Sequence, residues 1–295
     1  MSGRLLVTGA GGMLGQDVVH AARAAGHEPV ALTRAELDVT DAAAVARALA
    51  AAQAEAVVNC AAWTDVDGAE SDPDGARAVN ATAPGVLAQA AAAAGVRLVH
   101  VSTDYVFDGD RPADAPPYVE SDATGPRSVY GATKLEGELA VAAAGGSHAI
   151  VRTSWLFGVG GPNFAATMLR LAEGTAEVPG RDEVSVVTDQ VGFPTATAHL
   201  APALVALALG AARGAEGVVH VAGGGAPCSW NAFAAEVFRQ AGVACRVLPC
   251  TTADMPRPAP RPAFSALVSE RDDAPRLPAW QEGLSDFLHA RKVTA

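Results

Sequence analysis

The chain has 295 residues, half of them apolar, enough for one large domain or two small ones. Its formal net charge of −11 argues against a nucleic acid as partner, because nucleic-acid binders concentrate positive charge. No apolar run is long enough to span a membrane; the best candidate, residues 200–212, contains Pro202 and Gly210 and is expected to form a buried helix. The N-terminal segment lacks a signal-peptide pattern, so we expect a cytoplasmic protein with no membrane partner.

A short apolar run, Arg4–Thr8, precedes a glycine-rich segment and then a helical pattern. The glycines Gly9, Gly12 and Gly15 recur at every third residue, and Gly11 lies between the first two. Strand, glycine turn and helix in this order are the context of a dinucleotide site. Glycine permits a tight turn and close backbone approach, and the helix N-terminus binds the pyrophosphate. The alternative interpretation of these glycines is a flexible turn between a strand and a helix that binds no ligand.

The second strand is expected at 28–32, and the residues after it indicate which dinucleotide binds. An acidic side chain at this place would bind the ribose 2′-hydroxyl of NAD, but Thr33 and Arg34 stand there. Because Arg34 can pair with a 2′-phosphate, the sequence favours NADPH, with NADH as the alternative cofactor. A solvated loop charge is the alternative role of Arg34. Farther along, Asp38 is expected to place its carboxylate beside the adenine.

Strand-like apolar runs alternate with alanine-rich helical stretches. This alternation predicts an α/β fold, a Rossmann-like doubly wound parallel sheet that helices cover on both faces. We expect residues 1–158 to form the dinucleotide-binding domain and residues 159–295 a smaller α/β substrate-binding domain, rich in glycine, proline and loops. Segments near 190–223 are expected to return to the first domain. The expected strands are 56–58, 96–101, 149–151 and 217–221, and the expected helices 41–54 and 84–95.

The cysteines show no sign of a metal or redox role. Cys60, Cys228, Cys245 and Cys250 lack the spacing of a zinc site or of a C-x-x-C motif. Cys60 ends a predicted strand near the presumed cofactor, where core packing accounts for it. We therefore expect free, mostly buried thiols.

Three polar residues point to proton transfer. Thr103 follows the predicted strand 97–101, at the edge where open α/β sheets bind ligands. Tyr130 and Lys134 lie four residues apart in a helical stretch, hence on one face. We expect the ammonium of Lys134, together with a bound cofactor, to lower the pKa of the Tyr130 phenol, so that it exchanges a proton near neutral pH. Taken alone, Thr103 could be an ordinary turn residue at the end of a strand. Taken alone, the Tyr-x-x-x-Lys spacing could belong to a solvent-exposed helix. The two together favour a catalytic site.

With these motifs the chain resembles the extended short-chain dehydrogenases/reductases, and more closely the dTDP-4-dehydrorhamnose reductases. The glycine loop and Tyr-x-x-x-Lys identify the superfamily alone. The Thr-Asp-Tyr-Val-Phe run and the tryptophan after Arg-Thr-Ser are specific to the narrower family. Matching stretches extend over nearly the whole chain: residues 7–15, 59–70, 79–81, 102–107, 129–134, 152–158, 163–164, 189–195 and 261–265.

The resemblance implies a ligand for each predicted site residue. Thr103, Asp104 and Tyr105 would face the sugar. Trp155 would pack on the hexulose ring, its indole offering an apolar face and one N–H donor; without the family it is an ordinary core aromatic. The residues expected to bind the dinucleotide are Gly9, Gly11, Gly12, Met13 and Leu14 at the pyrophosphate, Arg34 at the 2′-phosphate, Asp38 and Val39 at the adenine, Ala61, Ala62 and Trp63 along the cofactor, and Tyr130 with Lys134 at the nicotinamide end.

The resemblance implies one reaction. Related dehydratases carry a glutamate two residues after the catalytic threonine; Tyr105 stands there, and a phenol substitutes poorly for a carboxylate at neutral pH. Ketone reduction needs only an acid. The expected activity is therefore NADPH-dependent reduction of the C4 ketone of dTDP-6-deoxy-L-lyxo-4-hexulose to dTDP-L-rhamnose, with Tyr130 as proton donor. The alternatives are a 4-ketoreductase for another dTDP-deoxysugar of secondary metabolism and a non-catalytic NADP(H)-binding regulatory subunit.

Two positions depart from the family. Trp63 stands where relatives often have tyrosine or histidine. Some relatives bridge a dimer through Mg²⁺ bound to carboxylates, and those positions have no match here, so we expect no metal. The expected partners are the dTDP-linked 4-keto-6-deoxyhexose and at most a second copy of the chain, which would be a monomer or a homodimer.

Overall fold

A computed structural model of the protein describes residues 2–175, 177–210 and 212–294. Within these ranges, strands alternate with helices along most of the chain. The strands are β1 (Arg4–Thr8), β2 (Glu28–Leu32), β3 (Ala56–Asn59), β4 (Arg97–Thr103), β5 (His148–Thr153), β6 (Leu156–Phe157), β7 (Glu183–Val187), β8 (Val191–Gly192), β9 (Thr195–Ala196), β10 (Gly217–His220), β11 (Cys228–Ser229) and β12 (Arg246–Cys250). The helices are α1 (Met13–Ala24), α2 (Ala42–Ala52), α3 (Val66–Ser71), α4 (Pro73–Arg77), α5 (Ala83–Ala94), α6 (Val129–Ala143), α7 (Phe164–Glu173), α8 (Thr197–Leu209), α9 (Trp230–Ala241) and α10 (Trp280–Thr294).

Six of these strands form one parallel sheet, in the order β10-β5-β4-β3-β1-β2. The chain first moves from β1 outward to β2. It then crosses to β3 and continues through β4 and β5 in the opposite direction. The strand order thus reverses between β1 and β3, and the crevice outside the carboxyl ends of these two strands is where open α/β sheets bind ligands.

Helices bury both faces of the sheet, as its apolar runs predict. Because side chains alternate along a strand, Leu5 and Val7 of β1 pack on one face with α1 and α8, whereas Leu6 packs on the other with α2, α5 and α6. The prediction of a doubly wound parallel α/β sheet is confirmed.

A second apolar core lies among the segments that follow the sheet's carboxyl edge. Its members include Phe157, Phe193, Phe233 and Phe264, all buried, and residues of α7, α9, α10 and the paired strands β7 and β12 surround it. Between these segments the chain returns to the main sheet, where β10 is hydrogen-bonded to β5. The division into domains at residue 158 stays a prediction.

The apolar segment at 200–212 lies mostly in α8, which packs against α1 in the sheet core and contains Pro202. The expected buried helix is confirmed up to Leu209; Ala211 lies outside the described residues. Across the described chain, none of the helices has both the length and the apolar character that crossing a membrane requires.

Candidate active site

The glycine loop lies at the point where the strand order reverses. Gly9 follows β1 with a φ of +66°, a conformation that favours glycine. A Cβ on Gly9 would lie 2.7 Å from the backbone nitrogen of Ala61. Gly15, in the first turn of α1, packs as closely, since its Cβ would lie 2.2 Å from the carbonyl oxygen of Gly9. These contacts bring together two of the predicted cofactor segments, the glycine loop and the residues after β3.

The N-terminus of α1 presents free donors. Its N-cap residue is Gly12, no side-chain cap bonds the first turn, and that turn contains no acidic residue. The backbone N–H groups of Met13 and Leu14 therefore face the crevice with the positive end of the helix dipole, an arrangement that binds phosphate. The side chain of Leu14 is buried in the sheet core, so that residue offers an anion only its backbone.

Arg34 lies next to the glycine loop. A Cβ on Gly11 would lie 3.5 Å from Cγ2 of Thr33, and the exposed Arg34 follows directly. The chain then folds back, so that a carboxylate oxygen of Glu36 accepts hydrogen bonds from the backbone nitrogen of Thr33 at 2.9 Å and from its Oγ1 at 2.8 Å. The two residues directly after β2, Thr33 and Arg34, are not acidic. The structure brings the Glu36 carboxylate to this strand end, but its Oε2 already accepts both hydrogen bonds from Thr33.

Asp38 and Val39 occupy the loop between β2 and α2. Asp38 is exposed, and its Oδ1 accepts hydrogen bonds from the Thr40 hydroxyl at 2.7 Å and the Thr40 backbone nitrogen at 2.9 Å. These bonds lower the pKa of Asp38, so it is ionised at neutral pH. Val39 packs partly buried against the α2 side of the core. Their contact with an adenine stays a prediction.

Asn80 anchors the segment after β3. It lies fully buried in a π-helical turn, Ala78–Thr82, that joins α4 to α5. Its Oδ1 accepts from the Trp63 backbone nitrogen at 2.9 Å, and its Nδ2 donates to the Trp63 carbonyl at 3.1 Å. Ala61 and Ala62 therefore run along the sheet edge between Gly9 and a fixed Trp63. Isolated π turns of this kind recur at functional sites.

Thr103 and Tyr130 meet at the carboxyl end of β4. The hydroxyl of Thr103 donates to Asp104 Oδ1 at 2.9 Å and lies close enough to the Tyr130 phenol to lower its pKa. The ring of Tyr105 meets that of Tyr130 edge-on, with centroids 5.4 Å apart. Helix α6 comes this close because Gly131 has no side chain; a Cβ there would lie 2.3 Å from the Tyr105 carbonyl oxygen.

The pKa of Tyr130 is raised to about 12. Burial is the main cause, because it disfavours the phenolate. The nearby Thr103 hydroxyl acts in the opposite direction, and the Asp104 carboxylate adds to the rise. The expectation of a lowered pKa is wrong: burial raises it, and Lys134 is not among the groups that shift it. Tyr130 keeps its proton at neutral pH, as the donor in a reduction must.

The side chain of Lys134 points to a different part of the sheet's carboxyl edge than Tyr130 does. Its Nζ donates to the carbonyl oxygen of Val101 at 2.7 Å, and the side chain is buried. Burial lowers the pKa of Lys134 to about 8, against the attraction of Glu138 and the Cys60 thiol. The ammonium is therefore charged at neutral pH and lies between the ends of β3 and β4. Helix α6 thus directs Tyr130 toward Thr103 and Lys134 toward the predicted cofactor segment.

A buried ion pair lies one helical turn beyond Lys134. Glu138 and Arg152 are 3% and 4% exposed, and Nε and Nη2 of Arg152 donate to the Glu138 carboxylate at 3.0 and 2.7 Å. Ser102 of β4 donates to the same carboxylate. Removing one partner of such a pair leaves a buried charge and costs about 3–5 kcal/mol. The pair therefore ties α6 firmly to β4 and β5.

Trp155 has a strained backbone at the rim of the site. Its φ is +47°, and this region costs a bulky residue roughly 1–3 kcal/mol. Its Nε1 donates to Ser265 Oγ at 3.2 Å, so the N–H that sequence analysis offered to the sugar is used inside the protein. The Ser265 hydroxyl also lowers the pKa of Asp104, which burial nevertheless raises to about 6. Trp155 and Asp104 therefore border the same space.

The structure arranges the predicted residues in two neighbouring groups along one sheet edge. The glycine loop, Arg34 and the segment ending at Trp63 form one; Thr103, Asp104, Tyr105, Tyr130 and Trp155 form the other, with Lys134 between them. No role was predicted from the sequence for Asn80, Glu138, Arg152 or Ser265. Glu138 carries a local signal, its i+4 spacing from Lys134; the others lie in stretches matching the family, but their contacts are with distant residues.

The cysteines are free, as expected, but partly exposed rather than mostly buried. Within the described residues no group of three or more His, Cys, Asp and Glu side chains could hold a metal ion. The prediction of no metal stays a prediction, as do the ligand contacts of the site residues.

Comparison with known proteins agrees with this geometry. The family model described as RmlD substrate binding domain matches residues 3–293. A dTDP-4-dehydrorhamnose reductase of Mycobacterium tuberculosis (strain CDC 1551 / Oshkosh) is 47% identical over 298 residues, covering 100% of this chain and 92% of that protein. A probable dTDP-4,6-dihydroxy-2-methyloxan-3-one 4-ketoreductase of Streptomyces antibioticus is 43% identical, covering 91% of this chain and 88% of that protein.

Among solved structures, the dTDP-4-dehydrorhamnose reductase of Bacillus anthracis str. Ames in complex with NADP is similar, with a TM-score of 0.90 and 35% identity. The similarity covers 98% of this chain and 100% of that one. Full-length similarity in sequence and in fold places this chain in the dTDP-4-dehydrorhamnose reductase family of oxidoreductases.

Proposed function

We propose that the protein reduces the C4 ketone of dTDP-6-deoxy-L-lyxo-4-hexulose to dTDP-L-rhamnose with NADPH, Tyr130 acting as proton donor. The observation that carries the proposal is that the Thr103 and Tyr130 hydroxyls lie near each other at the carboxyl end of β4. A ketone oxygen at this place would meet the Tyr130 phenol, a proton donor that is positioned before negative charge develops on that oxygen. Relatives named dTDP-4-dehydrorhamnose reductase support the choice of sugar.

The residues around the glycine loop fit a dinucleotide phosphate. The uncapped N-terminus of α1 offers N–H donors, and the cradle around Gly9 and Gly15 has no room for a Cβ. The exposed Arg34 suits a 2′-phosphate, and the similar reductase of Bacillus anthracis is in complex with NADP. When bound, NADPH supplies the hydride. Lys134 adds a positive charge at neutral pH to the edge where the cofactor would lie.

Tyr130 supplies the proton. Its raised pKa keeps the phenol protonated at neutral pH, and the proton moves from Oη to the ketone oxygen as negative charge develops there. Thr103 favours the phenolate that remains, since its hydroxyl lowers the pKa of Tyr130. Before the reaction the single hydroxyl hydrogen of Thr103 points to Asp104, whose Oδ1 accepts the hydrogen bond at 2.9 Å, so a bond to the phenolate requires this hydroxyl to turn toward Tyr130.

Tyr130→Phe tests this assignment, because it removes the acid and keeps the ring. We expect kcat to fall by about 10²–10⁴-fold, measured as loss of NADPH absorbance with the 4-keto-L-hexulose substrate, and NADPH affinity to stay unchanged. Tyr118→Phe is the matched control, because the Tyr118 phenol donates to Asp108 at 2.6 Å, outside the site. Wild-type turnover in Tyr130→Phe would refute the assignment. NADPH binding without consumption by the unmutated protein would favour a regulatory subunit.

A second candidate is the 4-ketoreduction of another dTDP-deoxysugar. The relative from Streptomyces antibioticus, 43% identical and named a probable 4-ketoreductase of a different dTDP-sugar, favours it. The hydroxyl pair and the glycine loop would serve both reactions equally. The configuration of the reduced product, determined by NMR, separates them, because only the leading proposal predicts L-rhamnose.

A further inference from the structure

Trp155 stacks face to face on a second tryptophan. The ring centroids of Trp155 and Trp230 are 3.6 Å apart and the ring planes differ by 6°. Both indoles are partly exposed, whereas Trp280, which meets Phe233 edge-on, is buried in the second core. An exposed stack gains less from burial than a core pair does. Core packing explains part of the stack, because Trp230 packs against the second core; the face of Trp155 toward the site is not explained by it.

The other contacts of Trp155 limit the orientations that its indole ring can take. Its Nε1 donates to Ser265 Oγ at 3.2 Å, and its carbonyl oxygen accepts from the backbone nitrogen of Thr195 at 3.1 Å. A Cβ on Gly192 would lie 2.7 Å from Cε2 of Trp155, so the backbone of Gly192 lies directly against the indole. Together with the stack, these contacts hold the ring in one orientation despite the strained backbone.

Trp230 is itself firmly held. It is the first residue of α9, directly after the N-cap Ser229. Ser229 pairs with Val191 across β11 and β8, and β8 also contains Gly192, the residue against Trp155. The ring of Phe164 packs on Trp230 with centroids 4.5 Å apart. One small structural unit thus fixes both the stacking partner and the backbone that Trp155 contacts.

We propose that Trp230 is a positioning residue of the sugar site, fixing the indole of Trp155 at the angle at which it packs on the hexulose ring. The inference rests on the proposed function and on the contact between Trp155 and the sugar that the resemblance implies. Trp230 covers one face of Trp155, and Ser265 takes its N–H. The sugar therefore meets only the rest of the indole, an apolar surface that suits the C–H face and methyl group of a 6-deoxyhexose.

Trp230→Ala and Trp230→Phe test the positioning role. In Trp230→Ala we expect KM for the sugar to rise about tenfold, with kcat and NADPH affinity within about threefold of the unmutated protein. Trp230→Phe keeps a flat ring and should restore most of the sugar KM. Circular dichroism gives an independent readout, because stacked indoles produce an exciton couplet. The couplet should vanish in both variants and persist in the control Trp280→Phe.

Two results would overturn the inference. One is a sugar KM in Trp230→Ala within about twofold of the unmutated protein; the other is an equal rise in KM for sugar and NADPH, as expected from general loosening of the fold. Trp155→Ala separates this failure from failure of the proposed function. If Trp155→Ala raises the sugar KM and Trp230→Ala does not, only the positioning role is refuted. If Trp155→Ala leaves it unchanged, Trp155 is not the sugar contact.

Discussion

Asp104 is 3% exposed, next to the hydroxyls of Thr103 and Ser265, and within the described structure its Oδ2 has no hydrogen-bond partner. Burial raises its pKa from 3.8 to about 6, against the effect of both hydroxyls. An ionised carboxylate in such surroundings favours unfolding, because the unfolded chain hydrates it fully. The site therefore contains a charge that stability alone would not select.

Asp104→Asn should stabilise the fold at neutral pH. The pKa of Asp104 is about 6 when folded and 3.8 in the reference state, so the folded protein binds the extra proton between these values. The cost of the buried charge is then fully present above pH 6 and disappears as the pH falls through 3.8. It amounts to about 3 kcal/mol. Urea unfolding should show the gain at pH 7 and its absence near pH 3.5.

Asp108→Asn is the control with the opposite sign. The hydrogen bond from Tyr118 lowers the pKa of Asp108, so its ionised form stabilises the fold, and the asparagine variant should lose stability at pH 7. If Asp104→Asn were also less stable than the unmutated protein at pH 7, burial of its charge would not be the dominant effect.

At the scale of elements, the position of α6 depends on two glycines. A Cβ on Gly131 would lie 2.3 Å from the carbonyl oxygen of Tyr105, and one on Gly137 would lie 2.1 Å from that of Asn80. The helix backbone therefore packs directly on the turn after β4 and on the π turn. This double contact sets the distance of Lys134 from the sheet.

Gly137→Ala should displace α6. Alanine is a better helix former by about 1 kcal/mol, but the clash with the Asn80 carbonyl should cost about 1–3 kcal/mol and lower kcat through movement of Lys134. Gly214→Ala is the control, because a Cβ there meets nothing within 4 Å. Thermal unfolding and turnover report the two effects. A Gly137→Ala protein matching the control in both would show that α6 tolerates a side chain at this contact.

The strands of the sheet could be predicted because their chemistry is local. The apolar runs 56–58 and 149–151 are buried on both faces, and each lies in the expected strand. Arg97 in β4 shows what local chemistry does not predict, because it is a charged residue that is only 1% exposed. Its Nε donates to the carbonyl oxygen of Leu207 at 2.8 Å, 110 residues away. Nothing near Arg97 in the sequence encodes that partner.

The residues of the site were predictable, but not their environment. Thr103, Tyr130 and Lys134 follow from spacing and from their place after a strand or on a helix. The pKa of Tyr130 depends on burial by distant segments, so local reasoning gave the wrong direction. The N–H of Trp155 is bonded to Ser265, again 110 residues away. Which hydrogen bonds remain for a ligand is settled by tertiary contacts.

At the scale of the molecule, the candidate site lies between the two apolar cores. Val99 of β4 belongs to the sheet core, whereas Val106 and Phe107, just past Thr103 and Asp104, belong to the second core. A ligand at the sheet edge therefore stabilises a region on which both cores depend. Ligand binding and global unfolding should be linked, because a ligand that binds only the folded state shifts the equilibrium.

NADPH should raise Tm more than NADH does. At about 100 times its Kd a ligand adds about 2.7 kcal/mol, which raises Tm by about 5–10 °C for a chain of this size. Arg34→Ser should shrink the shift with NADPH and leave that with NADH unchanged, because Arg34 is proposed to pair with the 2′-phosphate. Arg23→Ser, an exposed change late in α1, is the control. An undiminished NADPH shift in Arg34→Ser would exclude that pairing.

Helix α4, the π turn and α5 follow one another without a break from Pro73 to Ala94. A π turn contains one residue more than an α-helical turn. The side chains of α5 are therefore rotated by about 100° around the helix axis relative to a continuous α-helix from α4. The offset turns Asn80 toward both Trp63 and Thr133. Deleting a single residue from the π turn would remove this rotation between α4 and α5 and turn the Asn80 side chain away from Trp63. The crevice would then lose its anchor although every ligand-facing residue remained.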